Sequence, residues 1–272
     1  MKRPARSLAG LAVTARGARA ISRALPEEVP VAVVFNGSTL AVMMATPADI
    51  ADFAHGFALT EGAIESLDEI ESFEIVEHEK GIEARFWIDA GRARALDARR
   101  RAMTGPVGCG LCGIDSLEEA VRPLPAVPAS GLRLASGDIL AAIAAMRARQ
   151  PLHDQTRAVH AAGFLIPGQG LAEVREDVGR HNALDKLIGA LARKRIAPSG
   201  GAFVLTSRVS VEMVQKTAMA GCPAIVAASA PTALALHLAD AAGITLAALA
   251  HPGGFELFCH PERVETGETD VA

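Results

Sequence analysis

The chain has 272 residues, of which 50% are hydrophobic, 21% charged and 4% aromatic with no Tyr, and its formal net charge is −4. That balance excludes wholesale disorder, a broad basic face for nucleic acid and an aromatic platform for stacking bases. Four cysteines in a chain this long make no disulfide scaffold, so the close pair Cys109 and Cys112 needs a chemical explanation.

From the start, Lys2, Arg3, Arg6, Arg16, Arg19 and Arg23 precede the first acid, Glu27. The apolar run Leu8–Val13 is too short for a secretory signal. Residues 1–27 therefore read as a flexible basic arm. Val31–Phe35 and Thr39–Met44 flank Asn36-Gly37, a hairpin-turn pair. Thr46-Pro47-Ala48-Asp49 places a capping residue, a first-turn Pro and an acid in register for a helix start. That helix should run to about Thr60, bury Ile50, Phe53, Ala54, Phe57 and Ala58, and end at Gly62. Phe73–His78 and Ile82–Ile88 predict a second hairpin, with Ile82, Ala84, Phe86 and Ile88 on one face. A basic helix over Arg92–Arg101 leads to the Gly-rich segment Thr104–Gly113, and Asp115 can cap a short helix after it. Residues 28–121 thus form an N-terminal α+β domain, and Arg122–Gly131, rich in Pro and Ala, reads as a linker.

The pattern changes in residues 132–264. A helix at Gly137–Arg149, strands at Ala158–Ile166 and Leu171–Val174, and a long helix from Arg180 to Lys194 come first. Strands Ala202–Thr206, Ala224–Ala228 and Ile244–Ala250 then alternate with helices Val209–Ala220 and Pro231–Ala242. This alternation predicts an α/β domain with a largely parallel sheet covered by helices. Ligands gather at the carboxyl ends of such strands, here 206–208, 229–231 and 250–255. The stretch Thr217–Ala239 has no formal charge and could span a bilayer, but Gly221, Pro223 and Pro231 divide it into a strand and a helix. The expectation is a soluble cytoplasmic protein with reduced thiols, no membrane segment and a flexible tail at 265–272.

Three clusters could carry chemistry. Gly108-Cys109-Gly110-Leu111-Cys112-Gly113 surrounds two thiols with unobstructed backbone, and a following helix start would favour the thiolate. That suits persulfide or disulfide exchange. The spacing equally allows half of a structural zinc site, completed by Cys222, Cys259 or a histidine. The second cluster is Arg175–Lys186. It either cradles an anion at a helix start, reinforced by Arg180 and His181, or is an ion-paired cap joining Glu176 and Asp177 to Arg175 and Arg180. The third is Ser207-Arg208 at a strand end, with Glu212 and Lys216 spaced as a surface helix pair. His160 in its apolar strand reads as a hydrogen-bonded core histidine. Zinc deaminase chemistry is unsupported, because His160-Ala161-Ala162 lacks the required acid and the Cys pair precedes the His.

Gly108–Gly113, Arg175–Lys186, Ser207–Lys216 and Ser229–Pro231, with Pro30–Met44 and Ala54–Glu61, resemble the formate dehydrogenase accessory sulfurtransferases, the FdhD family, from about Glu28 to Glu262. The resemblance implies an α/β fold with a cytidine deaminase-like three-layer core and a smaller N-terminal α+β part. It implies a homodimer that accepts persulfide sulfur from a cysteine desulfurase. The acceptor would be the molybdenum bis(molybdopterin guanine dinucleotide) cofactor, a bound substrate needed by formate dehydrogenase; no resident metal is expected. Cys109 matches the persulfide-bearing cysteine and Cys112 the second loop cysteine. Ala250, His251, Pro252, Gly253, Gly254 and Phe255 match the cofactor-contact stretch. That stretch has no Lys or Arg, and Phe258 stands at a tyrosine-like place, so Arg175, Arg180 or Lys216 becomes the expected source of positive charge. The rival readings are a nonenzymatic cofactor chaperone and a zinc-stabilised nucleotide-binding domain.

Overall fold

The computed structural model describes residues 3–103, 124–128 and 131–267. It is a mixed α/β protein whose first sheet is built from β3 (Val29–Phe35), β4 (Ser38–Ala45), β5 (Ile70–His78) and β6 (Gly81–Ile88), in the order β4-β3-β6-β5. β3 and β6 run parallel, while each hairpin is antiparallel. Asn36 and Gly37 both have positive φ, as a two-residue hairpin turn requires. Asn36 also donates from Nδ2 to the Ile88 carbonyl (2.8 Å) and accepts from the Ile88 amide (2.9 Å), which fixes the turn against β6. The inward residues Val31, Val33, Ile82, Ala84, Phe86 and Ile88 pack against Phe53, Ala54 and Phe57 of α1 (Ile50–Thr60). α2 (Ala90–Met103) follows β6.

Two expectations for this half change. Residues 1–27 contain an antiparallel ribbon, β1 (Ala5–Thr14) and β2 (Gly17–Pro26), in place of an arm without regular structure. The basic composition hid a period-two segregation. By the strand register Arg6, Arg19 and Arg23 share one face, and the other face carries no charge. Helix α1 starts at Ile50, not beside Thr46, with Asp49 in the left-handed region. Thr46 is wholly buried and its polar groups serve a contact between the two halves, described below.

The second sheet has the order β13-β12-β11-β10-β8-β9. Its strands are β8 (His160–Ile166), β9 (Gly170–Asp177), β10 (Ala202–Leu205), β11 (Ala224–Ala227), β12 (Thr245–His251) and β13 (Gly254–Cys259). Only β10–β11 and β11–β12 are parallel; β8–β9, β10–β8 and β12–β13 are antiparallel. The sheet is therefore mixed, not largely parallel, because hairpins flank the short parallel core. Helix α3 (Ser136–Ala148) covers one face through Ile139, Ala142 and Met146, against Val204, Val226 and Ala247. Helices α5 (Arg180–Arg193), α6 (Val211–Met219) and α7 (Ala233–Ala241) cover the other, against Phe164, Phe203, Ile225 and Leu246. The short helix α4 (Pro151–Thr156) joins α3 to β8, and β7 (Leu134–Ala135) pairs with β14 (Val264–Glu265). The expected linker is docked where it is described: the Val127 side chain is buried and its amide donates to the Ala242 carbonyl (2.9 Å).

The two halves meet where α1 crosses α5. A Cβ added at Gly56 would lie 1.8 Å from the Asp185 carbonyl oxygen, and one at Gly189 would lie 1.9 Å from that of Asp52. Only glycine permits this backbone-on-backbone approach. The uncharged stretch Thr217–Ala239 divides, as its punctuation predicts, into the end of α6, β11 and most of α7. No described helix is long and apolar enough to cross a membrane.

Candidate functional site

The carboxyl ends of β9, β10, β11 and β12 and the amino end of β8 lie at one edge of the second sheet. The loops after β10 and β11 are clamped together: the Val209 amide donates to the Ala230 carbonyl (3.2 Å) and Thr232 returns a bond to Val209 (3.0 Å). This holds buried Ser207 and exposed Arg208 on a fixed turn. At the start of α5, His181 Nε2 lies 3.3 Å from Glu212 Oε2 on α6. Ser210 Oγ donates to the same carboxylate oxygen (2.8 Å). His181, whose Nε2 stands at ion-pair distance outside hydrogen-bond geometry, is the main reason the Glu212 carboxyl is pulled down to about 2. Glu212 is therefore a histidine partner, not the surface partner of Lys216. Arg180 Nε, at the start of α5, is buried with no hydrogen-bond partner among the described residues.

Most of the Arg175–Lys186 segment is spent on joining the two halves of the structure. Asp177 and Lys186 are wholly buried and 2.7 Å apart. Asp177 also accepts from the amides of Thr46 (3.0 Å) and Gly179 (2.8 Å) and from Asn182 Nδ2 (3.1 Å). The Val178 amide donates to Thr46 Oγ1, and Lys186 Nζ donates to the Thr46 carbonyl (3.0 Å). Arg175 is held by Asp52 (2.8 Å) and Glu173 (2.9 Å). Glu176 accepts from the Leu152 and His153 amides at the start of α4. The expected pairing of Glu176 and Asp177 with Arg175 and Arg180 is replaced by these partners, because strand β9 points alternate acids to opposite faces. Lys216 is buried against Asp185 and Glu61, both 3.0 Å away. Burial alone would lower its pKa, but the two carboxylates outweigh that and raise it, so the ammonium stays charged. Arg175 and Lys216 are thus committed inside the protein. Of the expected sources of positive charge, only Arg180 is placed at the sheet edge.

Cys109 and Cys112 lie outside the described residues, as does Asp115. The segment Ala250–Phe255, the expected cofactor-contact stretch, is a hairpin. Ala250 and His251 end β12, Pro252-Gly253 turn, and Gly254 and Phe255 begin β13. His251, Pro252 and Gly253 are exposed at the tip, while Ala250 and Phe255 pack into the α3 layer. A bulge precedes the tip, with Leu249 in the left-handed region at φ 52°. Leucine is rare in that conformation, which marks the end of β12 as locally strained. Cys222 and Cys259 are buried; their thiols are pushed by burial up to about 12 and about 11. Each donates to backbone carbonyls, Cys222 to Ala224 (3.4 Å) and Cys259 to Ile244 (3.1 Å). Among the described residues no three His, Cys, Asp or Glu side chains gather to hold a metal ion.

Residues 26–265 match the model of the FdhD/NarQ family. The chain belongs to the FdhD/NarQ family. It is 54% identical over 242 residues to a protein of Agrobacterium fabrum named sulfur carrier protein FdhD, covering 89% of each chain. A Brucella abortus protein of the same name is 50% identical over 243 residues, 89% of this chain and 90% of that one. A crystal structure from Desulfotalea psychrophila, provisionally described as a formate dehydrogenase accessory protein, superimposes with a TM-score of 0.77 at 26% identity. That superposition covers 96% of this chain and 99% of the other. The FdhD/NarQ match starts inside the end of β2, so most of the N-terminal ribbon lies before it.

One feature of this FdhD/NarQ chain escaped the sequence reading. A cleft of about 580 Å³ opens between α3, α4 and the ends of β10 and β11, lined by Arg147, His153, Arg157 and His160. His160 is half-buried at its wall, not in the core. The signal was faint, because Pro151 divides the four basic residues among two helices, a loop and a strand.

Proposed function

We propose that this protein is a sulfur carrier that takes a persulfide sulfur on Cys109 from a cysteine desulfurase. It passes that sulfur to the molybdenum bis(molybdopterin guanine dinucleotide) cofactor for formate dehydrogenase. Membership of the FdhD/NarQ family, with relatives named sulfur carriers over nearly the whole chain, carries this reading. The Gly-flanked Cys109 and Cys112 supply the chemistry. A Cys109 thiolate attacks the outer sulfur of the donor persulfide, a new S–S bond forms, and the donor leaves as thiolate. No external oxidant or reductant is consumed. The remaining cysteines support this division of labour, since Cys222 and Cys259 are buried and held protonated. They are thereby poor candidates to complete a zinc site.

In this reading the cofactor is substrate, and the hairpin Ala250–Phe255 at the strand ends contacts it. The protein works as a cytoplasmic homodimer with a cytidine deaminase-like core. The test is mass spectrometry after incubation with a cysteine desulfurase and cysteine. One added sulfur atom on Cys109 is expected, with loss of active formate dehydrogenase in cells carrying Cys109→Ala. A Cys109→Ala protein that still yields sulfurated, active dehydrogenase would sink the proposal and favour a cofactor chaperone.

A further inference from the structure

We infer that the N-terminal ribbon β1–β2 is an arm that docks on the open face of the first sheet of a second copy of this chain. The inference rests on the homodimer of the proposed function only for the number of copies; the contact itself follows from the ribbon and the sheet. The two strands pair over ten successive positions. No residue of either strand is buried, and Leu8, Leu11, Val13 and Leu25 are exposed. A two-stranded hairpin is marginal in water by itself, so a ribbon of this length needs a surface to lie on. Its own sheet does not supply one. Val42, Met44 and Trp87 are exposed there too, and the two-residue connection Glu27-Glu28 holds the ribbon off that sheet.

The receiving face is the side of the first sheet turned away from α1. By the strand register Pro30, Ala32, Val42 and Met44 line one half of it, and Glu74, Glu83 and Trp87 lie on the other. A sheet face left to water normally carries polar side chains. Here the β3–β4 half is apolar, which marks it as a surface that another chain covers.

Charge selects the partner. Residues 1–26 hold six basic residues and no acid, so the net charge of −4 leaves −10 on the rest of the chain. Acids concentrate along β5 and its flanks, where residues 65–83 hold eight acids and one basic residue, Lys80. On the face itself Glu74 and Glu83 share a single arginine, Arg85, at 3.1 and 2.6 Å. Arg6, Arg19 and Arg23 lie on the ribbon face that also carries Leu8, Ile21 and Leu25. Arg6 reaches only Glu27, at 3.5 Å and largely exposed. Basic and apolar groups of the ribbon thus meet acidic and apolar groups of the sheet, whereas ribbon against ribbon would oppose like charges. One ribbon face measures about 34 Å by 10 Å. Two symmetric arms, counted on both partners, bury about 1,400 Å², within the ~1,200–2,000 Å² of a stable interface.

The test is sedimentation velocity of the full chain over a dilution series, read together with the emission of Trp87, the single tryptophan of the sequence. Wild type is compared with an Arg6→Glu/Arg19→Glu/Arg23→Glu variant and a Val42→Lys/Met44→Lys variant. All five positions are exposed, and the second variant leaves the ribbon sequence intact. Wild type should dimerise with a blue shift of Trp87 emission, and each variant should weaken the dimer about tenfold or more. A dimer that either variant weakens less than about threefold, or that forms without moving Trp87 emission, overturns the ribbon contact alone. A monomeric wild type overturns the contact and the homodimer together. A monomer whose Trp87 emission shifts only on adding a cysteine desulfurase assigns the ribbon to that enzyme and overturns the second copy as its occupant. None of these readouts involves Cys109, so failure of sulfur loading in wild type would count against the sulfur-carrier reading alone.

Discussion

Lys186 has no access to water; its Nζ lies 2.7 Å from Asp177 and donates hydrogen bonds to the Thr46 and Glu176 carbonyls. A pair of this kind adds little net stability over an apolar pair, but losing one partner strands the other in a medium that cannot solvate it. Lys186→Met should therefore cost about 3–5 kcal/mol in urea unfolding. A Lys186→Met/Asp177→Leu double variant should recover part of that. The thiols give a second check. Burial pushes Cys222 and Cys259 up to about 12 and about 11, so native protein at pH 8 should leave both unalkylated by iodoacetamide until it is denatured. Labelling of either at the rate of an exposed thiol would contradict their placement. Glu212 is the acid-side counterpart. Its folded pKa is depressed to about 2, so its stabilising effect is complete above the unfolded carboxyl range and is lost as pH falls toward 2. Glu212→Gln should lower the melting temperature at pH 6 and leave it unchanged near pH 2.

At the scale of elements, the α1–α5 crossing is set by what is missing from Gly56 and Gly189. Alanine would favour either helix in isolation by about 1 kcal/mol. Here the added carbon would lie 1.9 Å from the Asp52 carbonyl oxygen at position 189. Gly189→Ala should therefore destabilise by at least about 2 kcal/mol, against helix propensity, as measured by denaturant unfolding. Elements governed by local chemistry were legible in the sequence. Asn36-Gly37 specifies its hairpin, alternation from Ile82 to Ile88 specifies a buried strand, and Gly221 and Gly243 end their helices with positive φ. Elements governed by distant partners were not. Thr46 looks like a cap but bonds Asp177, 131 residues away, and Lys216 looks like a surface lysine but is buried against Glu61 and Asp185. The cleft was hidden for the same reason, since its basic residues converge only when α3, α4 and β8 are assembled. The sheet order also depends on long-range pairing, which periodicity does not encode.

Across the whole molecule, the two halves share buried charges, hydrogen bonds and a backbone contact. Removing the N-terminal half would leave Lys186, Asp185 and Lys216 facing water without all their partners. The described protein should therefore unfold in one transition, with calorimetric and van't Hoff enthalpies in agreement. Two resolved transitions would show that the shared network is weaker than its geometry indicates. The glycine crossing sets a further condition on motion. Sliding of packed helices proceeds through side chains that exchange rotamers across an interface. At Gly56 and Gly189 there are none to exchange, so the contact has no intermediate positions. The contact is suited to act as a pivot: a reorientation of the N-terminal half about that point would carry the loops farthest from it the greatest distance.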